Sequence, residues 1–133
     1  APVKQTFFGT TDPVFAGIPW SSTQLHLHGQ EVTKAPPGGT PIPLVGSQAC
    51  KCQAFKVGFR TYGFQYHFEW NMDEIKHVVG NDPSVREQGH DPMQIINEAA
   101  EHYHMYRRLG DRLCERLTTV IFPVDKPAEV TAI

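Results

Sequence analysis

The pattern of apolar and polar positions changes period near the middle of the chain. Up to residue 69, short apolar stretches alternate with turn residues, which predicts strands joined by loops. The alternation is strictest over residues 24–28 and stops at Gly29. A hairpin is predicted to turn at Gly58. The predicted strands cover residues 3–8, 24–28, 44–47, 51–57 and 61–66.

Residues 70–120 instead show the apolar spacing of helices. Asn71 and Glu74 have the spacing of a capping box, which predicts a helix that ends at Gly80. A second helix is predicted to begin at Pro92, and its apolar stripe runs to residue 117, about seven turns. The chain therefore divides into a strand-rich part (1–69), a helical part (70–120) and a tail (121–133), all within one domain.

Composition and charge narrow the classes of function. The 133 residues include 40% hydrophobic and 20% charged side chains, which is typical of a globular domain. Twelve basic against fourteen acidic residues give a net charge of −2, so no basic surplus points to nucleic acid. The longest apolar runs are far shorter than the roughly 20 residues that a membrane helix needs, so no membrane partner is expected.

Three cysteines without a disulfide spacing, and an N-terminus without the features of a secretion signal, favour a reduced, cytoplasmic setting.

The aromatic run 62–69 carries the strongest candidate chemistry. It predicts a buried strand that ends in His67 and Glu69, two positions apart. Residues i and i+2 of an extended chain project to the same face, so the carboxylate can orient the imidazole. These are two members of a nucleophile–base–acid relay, and the nucleophile is missing.

Five sequence segments occur in the order found in a known family. They are Asp-Pro-Val-Phe-Ala-Gly-Ile-Pro at 12–19, His-Gly-Gln-Glu-Val at 28–32, Ala-Pro-Pro-Gly at 35–38, Ser-Gln-Ala-Cys-Lys-Cys-Gln-Ala-Phe at 47–55 and Gly-Phe-Gln-Tyr-His-Phe-Glu at 63–69. Together they resemble the C-terminal half of class I, triad-type glutamine amidotransferase domains. The resemblance implies an α/β, flavodoxin-like domain, of which this chain is the C-terminal part, with short strands followed by two helices.

The resemblance also implies a reaction. In the family, a cysteine thiolate attacks the side-chain amide of L-glutamine, and a thioester forms and is hydrolysed to glutamate, without a cofactor. His67 resembles the catalytic histidine and Glu69 its acid, whereas the turn at His28, Gly29 and Gln30 resembles the substrate-binding segment. The ammonia normally passes to a synthase domain or subunit, and guanylate-synthase-like domains match as well as any other branch.

Two departures from the family pattern stand out. The family usually has proline between the histidine and the acid, where this chain has Phe68, and loss of the proline is expected to loosen the aim of the acid. Cys50 and Cys52 lack the flanking glycines of a nucleophile elbow, and Cys114 lies on the predicted long helix near its apolar stripe. We therefore expect the nucleophile in an N-terminal half outside this sequence, and we expect this chain alone to be inactive.

Three other interpretations remain at this point. A degenerate amidotransferase-like binding or regulatory module would keep the fold without the reaction, and a γ-glutamyl hydrolase would use the same relay. A zinc site could form from the pairs His26/His28 and Cys50/Cys52, although the predicted site holds no metal. The histidine- and arginine-rich segment 101–108 is interpreted as a solvent-facing helix surface rather than a nucleic-acid interface.

Overall fold

The computed structural model describes residues 1–33 and 41–122. The predicted loop at 35–38 and the tail from residue 123 lie outside the described residues. The strands are β1 (Pro2–Gln5), β2 (Ser21–Thr23), β3 (Leu25–His26), β4 (Ile42–Gly46), β5 (Ala54–Val57), β6 (Thr61–Phe64) and β7 (Tyr66–His67). The helices are α1 (Phe7–Thr11), α2 (Met72–Asn81), α3 (Pro83–Glu87) and α4 (Pro92–Ile121), with a 3-10 helix at Pro13–Phe15.

Five strands form an antiparallel sheet in the order β2-β1-β4-β5-β6. The predicted hairpin joins β5 and β6, and Gly58 turns it with φ of +63°, a conformation that favours glycine. A register shift between Pro43 and Val45 bends β4 against β5. This mixture of strands and helices confirms the predicted α/β class.

The two remaining strands form a separate ladder. In it, β3 runs antiparallel to β7, with Leu25 opposite His67 and His26 opposite Tyr66. Only residues 25 and 26 pair, so the predicted strand over 24–28 is shorter than its alternating pattern indicates. The prediction that residues 3–8 are extended is also wrong in part, because α1 begins at Phe7, with the Thr6 side chain accepting a hydrogen bond from the Gly9 N–H.

Both long helices begin where the sequence predicts. The Asn71 side chain accepts from the Glu74 N–H, and the Glu74 carboxylate accepts from the Asn71 N–H, which completes the capping box of α2. Asp91 caps α4, and Pro92 occupies its first turn. No helix among residues 1–33 and 41–122 is both long and apolar enough to cross a membrane.

The buried side chains form two clusters on opposite faces of the β3–β7 ladder. The first cluster joins the five-stranded sheet to α4: Val3, Val14, Phe15, Leu44, Val45, Ala54, Tyr66 and Leu113. The second joins α2 to α4 and consists of Ile75, Val79 and Tyr106, with Leu25 and Trp70 packed against it. The ladder therefore lies between two layers, and α4 contacts both.

A buried carboxylate ties the 3-10 helix to the hairpin. Asp12 is 4% exposed, and its oxygens accept from Lys56 Nζ at 2.8 Å, from Tyr62 Oη at 2.9 Å and from the Val14 N–H at 2.9 Å. Burial, followed by the hydrogen bond to Asp12, raises the pKa of Tyr62, which keeps the hydroxyl a donor. These contacts explain why the segment 12–19 begins with an aspartate.

Replacing this carboxylate should destabilise the fold. Asp12→Asn keeps an oxygen for the Val14 N–H but removes the charge that faces Lys56, so we expect the free energy of unfolding to fall by about 2 kcal/mol. Urea denaturation measures this change. Asp111→Asn, in an exposed pair with Arg107, is the control and should shift stability by less than about 0.5 kcal/mol. Equal effects of the two substitutions would contradict this role for Asp12.

Candidate functional site

The C-terminal end of β7 places His67 beside Glu69. Glu69 lies two residues beyond the end of the strand, at a bend, and its Oε1 atom is 2.8 Å from His67 Nδ1. The two side chains are 30% and 48% exposed, so solvent or a partner can reach them. The predicted contact between imidazole and carboxylate is confirmed. When a neutral ring donates its Nδ1–H to Glu69, the lone pair is on Nε2.

The second oxygen of Glu69 is also fixed. Oε2 accepts a hydrogen bond from the Phe68 N–H at 2.9 Å. A proline at this position has no N–H to donate. Phe68, which replaces the proline, thus supplies a hydrogen bond to the carboxylate, and the expected loosening of the acid stays a prediction.

Trp70 fixes the plane of the imidazole. Its ring stacks on His67 with 3.8 Å between centroids and an interplanar angle of 9°. Trp70 itself packs against the α2–α4 cluster. The ring of His67 is thus held by Glu69 at one edge and by Trp70 across one face, and within the described residues Nε2 makes no hydrogen bond.

Alternate side chains of residues 66–69 point toward the core. Tyr66 is 3% exposed and belongs to the cluster under the sheet. The Phe68 ring packs edge-on against Phe64, with centroids 4.8 Å apart. Tyr66 is buried and Phe68 is partly buried against the core, whereas Glu69 is exposed, which fits the two-residue period of an extended chain.

Gly110 allows this segment to approach α4. A Cβ atom at Gly110 would collide with the Phe68 carbonyl oxygen. Gly110 lies inside a 30-residue helix, where glycine costs roughly 1 kcal/mol relative to alanine. The close approach explains why a glycine stands there.

Adding a methyl group at Gly110 should therefore cost stability. For Gly110→Ala we expect a loss of about 2 kcal/mol, despite the better helix propensity of alanine, because backbone must move. Thermal or urea denaturation measures the change. Gly80→Ala in α2 is the matched control, since a Cβ there meets open space, and it should be neutral or stabilising by up to about 1 kcal/mol. A Gly110→Ala variant as stable as the parent would refute the close approach.

The predicted substrate-binding turn lies at the other end of β3. The Nδ1–H of His28 donates to the Gln30 carbonyl at 2.8 Å, and Nε2 lies 3.3 Å from Gln53 Oε1. Gly29 and Gln30 are exposed. Gln53 is only 1% exposed and is a site residue that the sequence analysis did not single out, although it lies within the matched segment 47–55.

Gln53 also fixes His26. Its Nε2 atom donates to His26 Nδ1 at 3.1 Å and to Ser47 Oγ at 3.1 Å. Burial lowers the pKa of His26 from 6.5 to about 4, so the ring is neutral near pH 7. With Nδ1 accepting, the proton of the neutral ring is on Nε2.

The lowered pKa of His26 predicts a pH dependence of stability. Between pH 6.5 and about 4 the unfolded chain binds a proton at this ring that the folded chain does not, so stability falls as the pH is lowered through this window. Denaturation at a series of pH values should show a shallower fall for His26→Gln. His104→Gln, at an exposed position on α4, should leave the slope unchanged. An unchanged slope in the His26 variant would contradict the prediction.

An open cavity of about 780 Å³ borders the turn but not the relay. Its lining includes His26, His28, Gly29 and Gln30 from the β3 segment and residues from α2, α3 and α4. Neither His67 nor Glu69 is among its lining residues. The register places His67 opposite Leu25, and His28 lies three residues further, about 10 Å along an extended chain. The described residues therefore do not bring the two halves of the predicted site into one cavity.

None of the three cysteines contacts His67 within the described residues. Cys50 is buried, Cys52 is half-buried, and burial raises the pKa of both thiols, which disfavours the thiolate. Cys114 is exposed on α4. The arrangement supplies a base and its acid partner without a sulfur beside them.

The metal interpretation also lacks support in the described part of the chain. There, no three His, Cys, Asp or Glu side chains are grouped so that they could hold a metal ion. The pair His26 and His28 instead stacks ring on ring, with 6.2 Å between centroids.

Residues 104, 107 and 108 of α4 face solvent, as the sequence predicts. Tyr103 is half-buried, whereas His104, Arg107 and Arg108 are exposed. Arg107 pairs with Asp111 at 3.4 Å.

No protein-family model and no curated protein matches the sequence. Solved structures similar to the chain include the following two. A glutamine amidotransferase from Thermotoga maritima aligns with a TM-score of 0.69 and 19% identity, over 87% of this chain and 48% of that chain. The protein SMU.1228c aligns with a TM-score of 0.72 and 20% identity, over 88% of this chain and 50% of that chain. The chain therefore has the fold of about half of a glutamine amidotransferase, and it spans about half the length of these structural relatives.

Proposed function

We propose that the complete protein is a class I glutamine amidotransferase that hydrolyses L-glutamine to glutamate and ammonia, with a Cys-His-Glu triad. The observation that carries the proposal is the 2.8 Å contact between His67 Nδ1 and Glu69 Oε1, with Nε2 left to act on a substrate. The shared fold supports it, because one of the structural relatives is a glutamine amidotransferase.

In the proposed reaction, His67 moves protons through Nε2. It takes the proton of the cysteine thiol, and the thiolate attacks the side-chain amide carbon of glutamine. As the C–N bond breaks, the imidazolium returns the proton to the leaving nitrogen, which departs as ammonia. Nε2 then takes a proton from water, whose oxygen attacks the thioester carbon. The products are glutamate and the cysteine, with the proton returned to the sulfur.

Glu69 stabilises the charged form of His67 in this cycle. Its carboxylate faces Nδ1 and is held by the Phe68 N–H, so it does not reorient when the imidazolium forms. Trp70 keeps the ring plane fixed during both proton transfers. We assign the backbone around His28, Gly29 and Gln30 to binding the amino-acid end of glutamine.

The proposed reaction needs two partners, a nucleophile and an acceptor for the ammonia. The nucleophile comes from an N-terminal half outside this sequence, since burial disfavours the thiolates of Cys50 and Cys52, and Cys114 has no contact with His67 among the described residues. We propose that the ammonia passes to a synthase domain or subunit. A cytoplasmic setting fits the three free cysteines.

The separation between relay and cavity favours a second candidate. A degenerate module would keep the cavity beside β3 for binding while the relay no longer reacts. A γ-glutamyl hydrolase would share the relay and differ in the leaving group.

Substitution of the relay tests the proposal in the complete protein. We expect His67→Ala to lower glutaminase turnover at least about 1,000-fold, because the general acid and base is lost in both steps. Glu69→Gln should lower turnover by a smaller factor, since the imidazole remains. Ammonia release from glutamine measures both.

One matched variant completes this experiment. His104→Ala, on the exposed face of α4, should retain full turnover. Normal turnover of the His67 variant would refute the proposal, and activity on γ-glutamyl compounds but not on glutamine would favour the hydrolase.

A further inference from the structure

We propose that Gln53 is a positioning residue for the turn at His28, Gly29 and Gln30, because its side-chain amide holds two histidines of the β3 segment at once. The inference rests on the proposed function for the role of this turn in binding glutamine, and it adds what sets the shape of the turn. Gln53 acts here through His28 and not on the substrate itself.

The burial of Gln53 is unusual for an amide side chain. Gln53 is 1% exposed, and an apolar side chain of similar volume can fill a core at no greater cost. Its Nε2 atom lies 3.1 Å from both His26 Nδ1 and Ser47 Oγ. Its Oε1 atom lies 3.3 Å from His28 Nε2. Each polar atom of the amide thus faces a polar partner, so the amide is placed to orient these partners rather than to fill space.

The spacing of the two histidines explains how one amide reaches both. His26 and His28 are two residues apart, and their rings lie 20° from parallel with 6.2 Å between centroids. An amide has a donor and an acceptor, so it can face one ring with each. The other nitrogen of His28 donates to the Gln30 carbonyl at 2.8 Å. His28 is therefore held at both ring nitrogens, and one of these contacts lies within the turn.

The backbone of Gln53 is fixed on both sides. Its N–H donates to the Val45 carbonyl at 2.8 Å, and its carbonyl accepts from the Gln65 N–H at 2.7 Å. Gln65 lies two residues before His67 in the sequence. Gln53 thus connects the turn to the segment that ends in the relay.

Two other side chains hold the residues that follow the turn. The Oε1 atom of Gln65 accepts from the Val32 N–H at 3.2 Å. The Oε1 atom of Glu31 accepts from the Lys51 N–H at 2.8 Å. Both contacts lie beyond the turn. Among the described residues, the side chain that faces His28 Nε2 within hydrogen-bonding distance is that of Gln53.

Gln53 also determines which nitrogen of His26 carries the proton. Because the amide Nε2 donates to His26 Nδ1, the proton of the neutral ring is on Nε2. This Nε2 atom is buried and has no hydrogen-bond partner among the described residues, and His26 lines the cavity that borders the turn. The orientation of the amide therefore selects a donor rather than an acceptor at this atom.

Kinetics of the complete protein test the positioning role. Gln53→Met keeps the approximate volume and removes the amide. We expect KM for glutamine to rise at least about 10-fold while kcat changes by less than about 2-fold, because His67 and Glu69 are untouched. Calorimetric titration of glutamine into the His67→Ala protein, with and without Gln53→Met, should show the same loss of affinity.

Gln5→Met is the matched control. The amide of Gln5 donates to the carbonyls of Ile18 and Pro19, so this substitution also removes two hydrogen bonds, but away from the turn. We expect KM to stay within about 2-fold of the parent value. Equal rises of KM in the two variants would assign Gln53 a general structural role and overturn the proposal. A fall in kcat at constant KM would overturn it as well.

The tautomer of His26 tests the same contact without catalysis. Proton–nitrogen correlation NMR of the complete protein at neutral pH, with His26→Gln to assign the signal, should show a bare Nδ1 and a protonated Nε2. Gln53→Glu offers acceptors only, so we expect the ring proton to move to Nδ1. A proton on Nδ1 in the unsubstituted protein would overturn the proposal, and this measurement does not require any Gln53 variant to fold.

The two measurements separate this inference from the proposed function. A complete protein that neither binds nor hydrolyses glutamine, but shows the expected His26 tautomers, would reject the proposed function and retain Gln53 as the residue that orients the turn. Glutaminase turnover with KM unchanged by Gln53→Met would retain the function and reject the positioning role.

Discussion

The position of the His67–Glu69 pair depends on how its two aromatic neighbours pack against the core. Tyr66 and Phe68 enter the core from the same short segment, and the extended backbone between them sends the imidazole and the carboxylate outward. On the other side, the Phe68 carbonyl lies against α4 at Gly110. Packing thus holds the strand end from both sides. Glu69 and Trp70 add to this by a hydrogen bond to the His67 ring and by stacking on it.

The elements with a long, regular pattern could be predicted from the sequence. The capping box at Asn71 and the apolar stripe from Pro92 specify α2 and α4 through interactions within a few residues of one another. The hairpin at Gly58 likewise pairs residues that are close in sequence. The contact of His67 with Glu69 also follows from a two-residue spacing.

The features that sequence reasoning missed depend on side-chain and backbone contacts that residue spacing does not reveal, some of them between distant residues. The α1 helix begins at Phe7 because Thr6 caps it, although the residues before it continue an extended pattern. The pairing of β3 stops at His26, since its length is set by β7 rather than by its own alternation. Gly110 is understood only once the Phe68 carbonyl is seen against it. Trp70 directly follows the relay, but nothing in its spacing reveals the stacking on His67.

The relay and the turn at His28 lie at opposite ends of one short ladder, and the cavity touches only one of them. Among the described residues, no cysteine sulfur contacts His67.

The most direct measurement is the site of the covalent intermediate. The complete protein is mixed with glutamine, quenched in acid and digested, and the peptide that carries a γ-glutamyl group is identified by mass spectrometry. We expect the group on a cysteine outside this sequence, with Cys50, Cys52 and Cys114 unmodified. A γ-glutamyl group on one of these three, or ammonia release without any thioester, would contradict a nucleophile supplied to His67 from another part of the protein.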